Sequence, residues 1–165
     1  MTAPVSPLRR KARRLGIDSV DSMIALAVAR GCRHYAPAAQ ALESPPGLSD
    51  LTNEELTILL LSGENPYEPT AIRCAAQLAR SPDVDPTRLA FQAVKEKTER
   101  VLAYIARSGI VHDCEGQGFW TRVLARFPRT EARQEPELPH WSRFASMPGL
   151  QRGGQAPTIW LTPET

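Results

Sequence analysis

DPTRLAFQAVKEKTERVLAYIARSG, residues 85–109, predicts one continuous helix around which the rest of the chain is arranged. Asp85 suits the N-cap, Pro86 suits the first helical position, and Gly109 suits the position just past the end. A helix of this length spans roughly 30 Å, about the diameter of a small domain. We therefore expect it to lie at the centre of the fold, with other elements covering its apolar side.

The two sides of this predicted helix differ in chemistry. The first side follows spacings of three, four and seven residues and comprises Phe91, Val94, Thr98, Val101, Leu102 and Ile105. The second side carries opposite charges four residues apart and comprises Lys95, Glu96, Lys97, Glu99 and Arg100. These patterns predict that the first side is buried and that the charged side faces solvent rather than a ligand.

Other segments with helical patterns flank this stretch, and short turns join most of them. They cover residues 18–31, 52–62, 69–80 and 117–127. The clearest start is at Thr52, where Thr52 and Glu55 form a capping box and Leu51 and Leu56 occupy the positions of a hydrophobic staple. Because short turns favour antiparallel neighbours, the sequence predicts a mostly α fold. We expect an irregular antiparallel helical bundle, or a short helical array, of five to six helices.

Composition divides the chain into three parts. Residues 1–16 form a basic arm, which we expect to be disordered because it contains little to bury. Residues 17–128 form the helical domain, with a minor linker at 44–47. Residues 129–165 form an irregular tail, rich in proline and glycine, that we expect to pack on the helical domain. Within this tail, 158–161 is a candidate for one short edge strand.

Charge is distributed unevenly, although the formal net charge is only +2. The arm carries five basic residues and no acid, whereas residues 17–118 carry nine basic and fourteen acidic residues. A mildly acidic body is not typical of a nucleic-acid-binding domain, but a basic arm can contact phosphates. The candidate nucleic-acid contacts are Arg9, Arg10, Lys11, Arg13 and Arg14 in the arm, and an arginine row of Arg122, Arg126 and Arg129.

Cysteine content and hydropathy indicate the compartment. The three cysteines, Cys32, Cys74 and Cys114, are an odd and sparse set, which argues against a disulfide framework and favours a reducing cytoplasm. No apolar run approaches the ~20 residues that a membrane-spanning helix needs. We therefore expect a soluble cytoplasmic protein without a membrane span.

Two short cysteine and histidine pairs are the candidate metal ligands. Cys32 with His34, and His112 with Cys114, would together give a tetrahedral site that zinc accepts. Each pair has one intervening residue, fewer than established zinc modules use, and free cysteine is commonly a small buried hydrophobic residue. The sequence therefore predicts no metal site, with these four residues as the alternative candidates.

Common motifs for catalysis and cofactor binding are absent from the sequence. The sequence has no phosphate-binding glycine loop, no dinucleotide fingerprint and no nucleophile elbow. The preferred hypothesis is a non-enzymatic helical module that binds another protein, without a cofactor, through a groove between helices or through its aromatic tail. The first alternative is a nucleic-acid-binding accessory protein that uses the arm and the arginine row. The second is a small metal-binding protein or enzyme that uses the cysteine and histidine pairs.

Overall fold

The structure, a computed structural model, describes residues 5–32, 50–62, 69–127, 145–146 and 159–163. This part of the chain is mostly helical, as the sequence predicted. Its helices are α1 (Pro7–Arg14), α2 (Val20–Ala29), α3 (Asn53–Leu61), α4 (Pro69–Leu78), α5 (Pro86–Lys95), α6 (Glu99–His112) and α7 (Gln117–Leu124). These seven helices exceed the five to six that we expected, because the arm is helical and the central helix is divided.

One hydrophobic cluster joins all of these helices. α3 packs against α2, α4 and α5, and α7 packs against α5 and α6. Each helix contributes at least one buried side chain: Leu8, Leu26, Leu61, Ile72, Leu89, Leu102 and Trp120, in chain order. Since α3 contacts so many of the others and every residue from Leu56 to Leu61 is buried, it lies close to the centre of the core.

The predicted continuous helix over 85–109 is wrong, because the chain leaves the helical conformation between α5 and α6. Lys97 has a φ of 58°, which is left-handed backbone. The Lys97 N–H donates to the Val94 carbonyl at 3.2 Å, and the Thr98 N–H donates to the Ala93 carbonyl at 2.9 Å. Together these bonds form a Schellman motif, which ends α5 in the way that helices usually end at glycine.

This break changes which side chains of the central stretch are buried. Phe91 and Val94 are 65% and 53% exposed, so placing them on a buried side was wrong. Leu89 and Ala93 form part of the buried side of α5 instead. The second half of the prediction is confirmed, since Val101, Leu102, Ile105 and Thr98 are all buried.

Gly109 lies inside α6 rather than past the end of a helix, so the predicted helix end was also wrong. A Cβ atom at this position would overlap the indole ring of Trp120. Glycine therefore lets α6 and α7 approach closely, and the helix continues to His112.

The basic arm contains helix α1, which corrects the expectation of disorder for residues 7–14, whereas residues 1–4 lie outside the described part of the chain. The Ser6 side chain caps the helix, Pro7 occupies its first turn, and Leu8 and Ala12 are buried. The Lys11 ammonium lies 2.9 Å from a carboxylate oxygen of Glu55 on α3. The buried side chains of Leu8 and Ala12, this ion pair and a bond from Arg9 to the Ser62 carbonyl therefore hold the arm against the body.

Several predicted helix starts are confirmed. Thr52 and Glu55 form the predicted capping box, in which the Glu55 N–H donates to the Thr52 hydroxyl at 3.1 Å. The Asp85 carboxylate accepts the Arg88 N–H at 2.9 Å, as an N-cap does. These starts could be predicted because each cap is read within four residues of sequence.

The described part of the tail contacts the helices. Two-residue strands β1 (Ala145–Ser146) and β2 (Ile159–Trp160) pair antiparallel. The Trp160 ring lies 5.5 Å from that of Trp120, centroid to centroid, and the Gln77 side chain donates to the Thr162 carbonyl at 2.9 Å. The predicted linker at 44–47 and most of 129–165 lie outside the described residues, so the division into three parts stays a prediction.

Among the helices described, none is long and apolar enough to cross a bilayer.

The break at Lys97 predicts opposite effects of glycine at two neighbouring positions. We expect Lys97→Gly to raise the free energy of unfolding by about 1 kcal/mol, because glycine adopts positive φ without a Cβ clash. The control Lys95→Gly, inside α5, is expected to lower it by about 0.5–1 kcal/mol. Urea unfolding of both variants measures these changes, and a loss of stability in both would mean that the helix is continuous.

The core position of α6 predicts a large cost for truncating Leu102. Leu102→Ala is expected to lower the free energy of unfolding by about 2–5 kcal/mol, because the side chain is fully buried. The control Val111→Ala, on the same helix but 66% exposed, is expected to change it by less than about 0.5 kcal/mol. Equal effects of the two changes in urea unfolding would contradict this packing.

Candidate interaction surface

An exposed apolar strip runs along α5. Thr87, Phe91 and Val94 are separated by four and three residues, so they share one side of the helix. Phe91 and Val94 are exposed, and the Lys95 ammonium lies 5.5 Å from the centroid of the Phe91 ring. Two neighbouring large apolar side chains therefore face solvent, with a cation beside them.

Arginines of α7 border one edge of this strip. α7 packs against α5, and the Arg126 guanidinium donates to the Thr87 hydroxyl at 3.4 Å. Arg122, one turn earlier, is also exposed. The predicted arginine row is therefore placed, through Arg122 and Arg126, beside α5, whereas Arg129 lies outside the described residues.

Another cation, Arg88, borders the opposite edge of the apolar strip. Its side chain is 73% exposed, and its Nε atom lies 3.7 Å from a carboxylate oxygen of Glu54 on α3. Lys95, seven residues later, lies on the same edge of α5. We call the whole surface the α5–α7 face, and it comprises Thr87, Arg88, Phe91, Val94, Lys95, Arg122 and Arg126.

The acids closest to the N-terminal end of this face are already engaged. The Arg88 N–H lowers the pKa of Asp85, and the positive charges of Arg88 and Arg122 act in the same direction. Glu54 is buried and accepts the Asp85 N–H at 3.0 Å. Arg88, Lys95, Arg122 and Arg126 therefore surround the apolar strip. The carboxylates of Asp85 and Glu54 already accept backbone N–H groups at the start of α5.

The arm presents a separate set of cations. Arg10, Arg13 and Arg14 are exposed, and their spacing of three and four residues places them on one side of α1. Arg9 and Lys11 point inward instead, where they bond the Ser62 carbonyl and Glu55. Of the five candidate contacts in the arm, three are therefore exposed and two contribute to packing.

These two basic sets are held by different parts of the fold. α1 has its main contacts with α3, whereas α7 has its main contacts with α5 and α6. The arm and the arginine row therefore form two separate basic surfaces.

A groove of about 250 Å³ opens beside α1. Its walls are largely apolar, with Ile17 and Leu59 among the buried residues that line it and Arg9 and Arg13 among the cations. This groove lies between helices, the kind of place where the sequence hypothesis put a partner.

The metal candidates are distributed over different environments. Cys32 is buried at the end of α2, and its hydrogen bond to Cys74, together with burial, raises the pKa of the Cys74 thiol. Burial lowers the pKa of His112, while Cys114 is exposed. His34 lies outside the described residues, and the described ranges contain no group of three or more potential ligands that could hold a metal ion.

A largely covered ion pair that the sequence did not indicate joins Arg80, two residues after the end of α4, to the turn before α7. The Arg80 guanidinium bonds the Asp113 carboxylate, which is 3% exposed. The same carboxylate accepts the Trp120 indole N–H at 2.9 Å and the Gly116 N–H at 3.0 Å. All of these partners are internal, so the cluster fixes the turn between α6 and α7 rather than offering a carboxylate to a substrate.

This cluster predicts a large effect of removing its carboxylate. Asp113→Ala is expected to lower the free energy of unfolding by about 3–5 kcal/mol, because the largely covered Arg80 side chain loses its partner charge and the Trp120 and Gly116 N–H groups lose their acceptor. The exposed neighbour Glu115→Ala is the control, with a change of less than about 0.5 kcal/mol. Thermal or urea unfolding measures both variants.

A second variant tests the reason for this cost. Adding Arg80→Met to Asp113→Ala removes the unpaired charge and is expected to restore part of the lost stability. Additive losses from the two single changes would show that the pair is not coupled.

Comparison of the chain with models of known protein families, with curated proteins and with solved structures found no significant match. The α5–α7 face and the cations of α1 are therefore the features of the molecule that indicate a function.

Proposed function

We propose that the protein is a non-enzymatic helical interaction module that binds another protein through the α5–α7 face. The observation that supports this proposal is the exposure of Phe91 and Val94, at 65% and 53%. Adjacent large apolar side chains on a surface are typical of sites where a partner binds. The proposal needs no cofactor and no metal.

The energetics of the apolar strip favour a partner that covers it. Fully burying a phenylalanine or valine side chain is worth about 1.5–3 kcal/mol relative to leaving it in water. The fold does not recover this energy at Phe91 and Val94, because both face solvent. A partner that covered them would recover it on binding.

The surroundings of the strip also resemble a binding interface. Interfaces combine an apolar centre with a polar rim and are enriched in aromatic residues and arginine. Phe91 and Val94 supply the centre, and Arg88, Arg122 and Arg126 supply the rim. This composition supports protein binding better than catalysis, which would need a nucleophile or a general base in a cleft.

Photo-crosslinking tests this proposal. A photoreactive residue replaces Lys95, within the face, or Val111, which is 66% exposed on α6 outside the face. We expect adducts with a discrete protein from position 95 and none from position 111. Equal labelling from both positions would contradict a specific surface.

Truncation of Phe91, the proposed anchor of the interface, tests the same proposal through loss of binding. Phe91→Ala is expected to weaken binding of the crosslinked partner by at least about tenfold, because aromatic anchors at interface centres commonly contribute 2 kcal/mol or more. The same change is expected to leave the free energy of unfolding within about 0.5 kcal/mol, because the ring is exposed. Isothermal titration and urea unfolding measure the two quantities, and unchanged affinity would argue against the face.

The exposed arginines of α1 support a second candidate, nucleic-acid binding through the arm. Arg10, Arg13 and Arg14 lie on one side of the helix, and no hydrogen bond or ion pair to another described residue engages their side chains. Arg13 and Arg14 lie about one helical turn from Arg10, a spacing that suits contacts to neighbouring phosphates.

The salt dependence of oligonucleotide binding tests this candidate. Replacing Arg10, Arg13 and Arg14 with alanine is expected to reduce the slope of log affinity against log salt by roughly 2.7 on duplex DNA, because each phosphate contact contributes about 0.9. The double change Arg122→Ala and Arg126→Ala is the control and is expected to leave that slope unchanged. Binding that is absent, or independent of salt, would dismiss this candidate.

A further inference from the structure

The α5–α7 face carries cations on both edges of its apolar strip. On a helical projection, Arg88 and Lys95 fall to one side of Phe91. Arg126 reaches Thr87 from the other side, where α7 packs, and Arg122 lies one turn earlier on α7. A segment that lies on Phe91 and Val94 therefore meets positive charge along both of its flanks.

We infer that the partner segment is acidic and amphipathic, with large apolar residues flanked on both sides by Asp or Glu. This inference rests on the proposed function, since it names the chemistry of the partner at the same face. A basic segment would place like charges side by side, and a neutral segment would desolvate the arginines without pairing them. An acidic segment pairs them and leaves its apolar residues to cover Phe91 and Val94.

Charges elsewhere on the protein favour a short acidic peptide segment over a nucleic acid. Residues 17–118 carry nine basic and fourteen acidic residues, so this stretch of the sequence is net negative. A long polyanion that extended beyond the face would meet this negative charge, whereas a short segment contacts the face alone. Val94 adds an aliphatic contact that suits a side chain better than a stacked base.

Among the residues that the structure describes, few acids compete for the cations of the face. Glu54, the acid nearest Arg88, is 3.7 Å from its Nε atom and also accepts the Asp85 N–H. Arg126 has a hydroxyl, not a carboxylate, as its recorded partner. Exchange of these weak internal contacts for a partner's carboxylates is therefore favourable.

Selection from a peptide library tests the inference on the full-length protein. Phage that display random 16-residue peptides are selected on the wild-type protein, after removal of phage that bind the double variant Phe91→Ser, Val94→Ser. Both changes are at exposed positions, so the variant is expected to fold, and its thermal unfolding is measured to check this. We expect the selected peptides to contain more Asp and Glu than Lys and Arg, around at least one large apolar residue.

Binding measurements on the selected peptides distinguish the outcomes. Affinity is expected to fall at least tenfold in the Arg122→Ala, Arg126→Ala double variant and to fall with rising salt, while the Arg10→Ala control retains it. Selected peptides that are neutral or basic would overturn the inference and leave the proposed function standing. The same holds for peptides whose affinity is unchanged in the Arg122→Ala, Arg126→Ala double variant. A selection that recovers no peptide specific for the wild type would overturn the proposed function as well. Displacement of the peptides by an equimolar single-stranded oligonucleotide would overturn the inference in favour of a nucleic acid.

Discussion

The left-handed backbone at Lys97 is the constraint on which the arrangement of the central helices depends. Its φ of 58° ends α5 and lets the Thr98 N–H return to the Ala93 carbonyl. The following helix can then start in a new direction. The side of α6 that carries Leu102 is therefore buried in the core, while the side of α5 that carries Phe91 and Val94 is not. Had the helix continued, Phe91 and Val94 would share a buried side with Leu102. The same turn that closes the core thus leaves the apolar strip of α5 in water.

Local signals in the sequence predicted much of the fold. The capping box at Thr52 and Glu55 marks the start of α3, and Asp85 marks the start of α5, because side chain and backbone interact within four residues. The break at Lys97 has no such signal, since lysine has no preference for positive φ and its neighbours suit a helix. Tertiary packing outweighed local preference there.

Most features of the candidate sites that could not be predicted depend on contacts between residues far apart in the sequence. Asp113 pairs with Arg80, 33 residues earlier, and nothing in either local pattern indicates this. The arginines Arg122 and Arg126 were found from helical spacing, but their position beside Phe91 depends on how α7 packs on α5. An apolar residue on one side of a helix reads as core in a sequence, and only the completed fold decides whether another element covers it.

The attachment of α1 has a consequence for how the protein opens. Only Leu8 and Ala12 of this helix are buried, while the Glu55 carboxylate that binds Lys11 also bonds the Thr52 N–H at the start of α3. A short helix with so little buried area detaches at a lower free energy than the whole molecule unfolds. We therefore expect the amide protons of α1 to exchange with solvent by local opening of this helix. Those of α6 are expected to exchange only when the whole molecule unfolds. The bond between the Glu55 carboxylate and the Thr52 N–H does not involve α1, so the start of α3 keeps its cap when α1 detaches. We therefore expect the arm to open as a unit separate from the body.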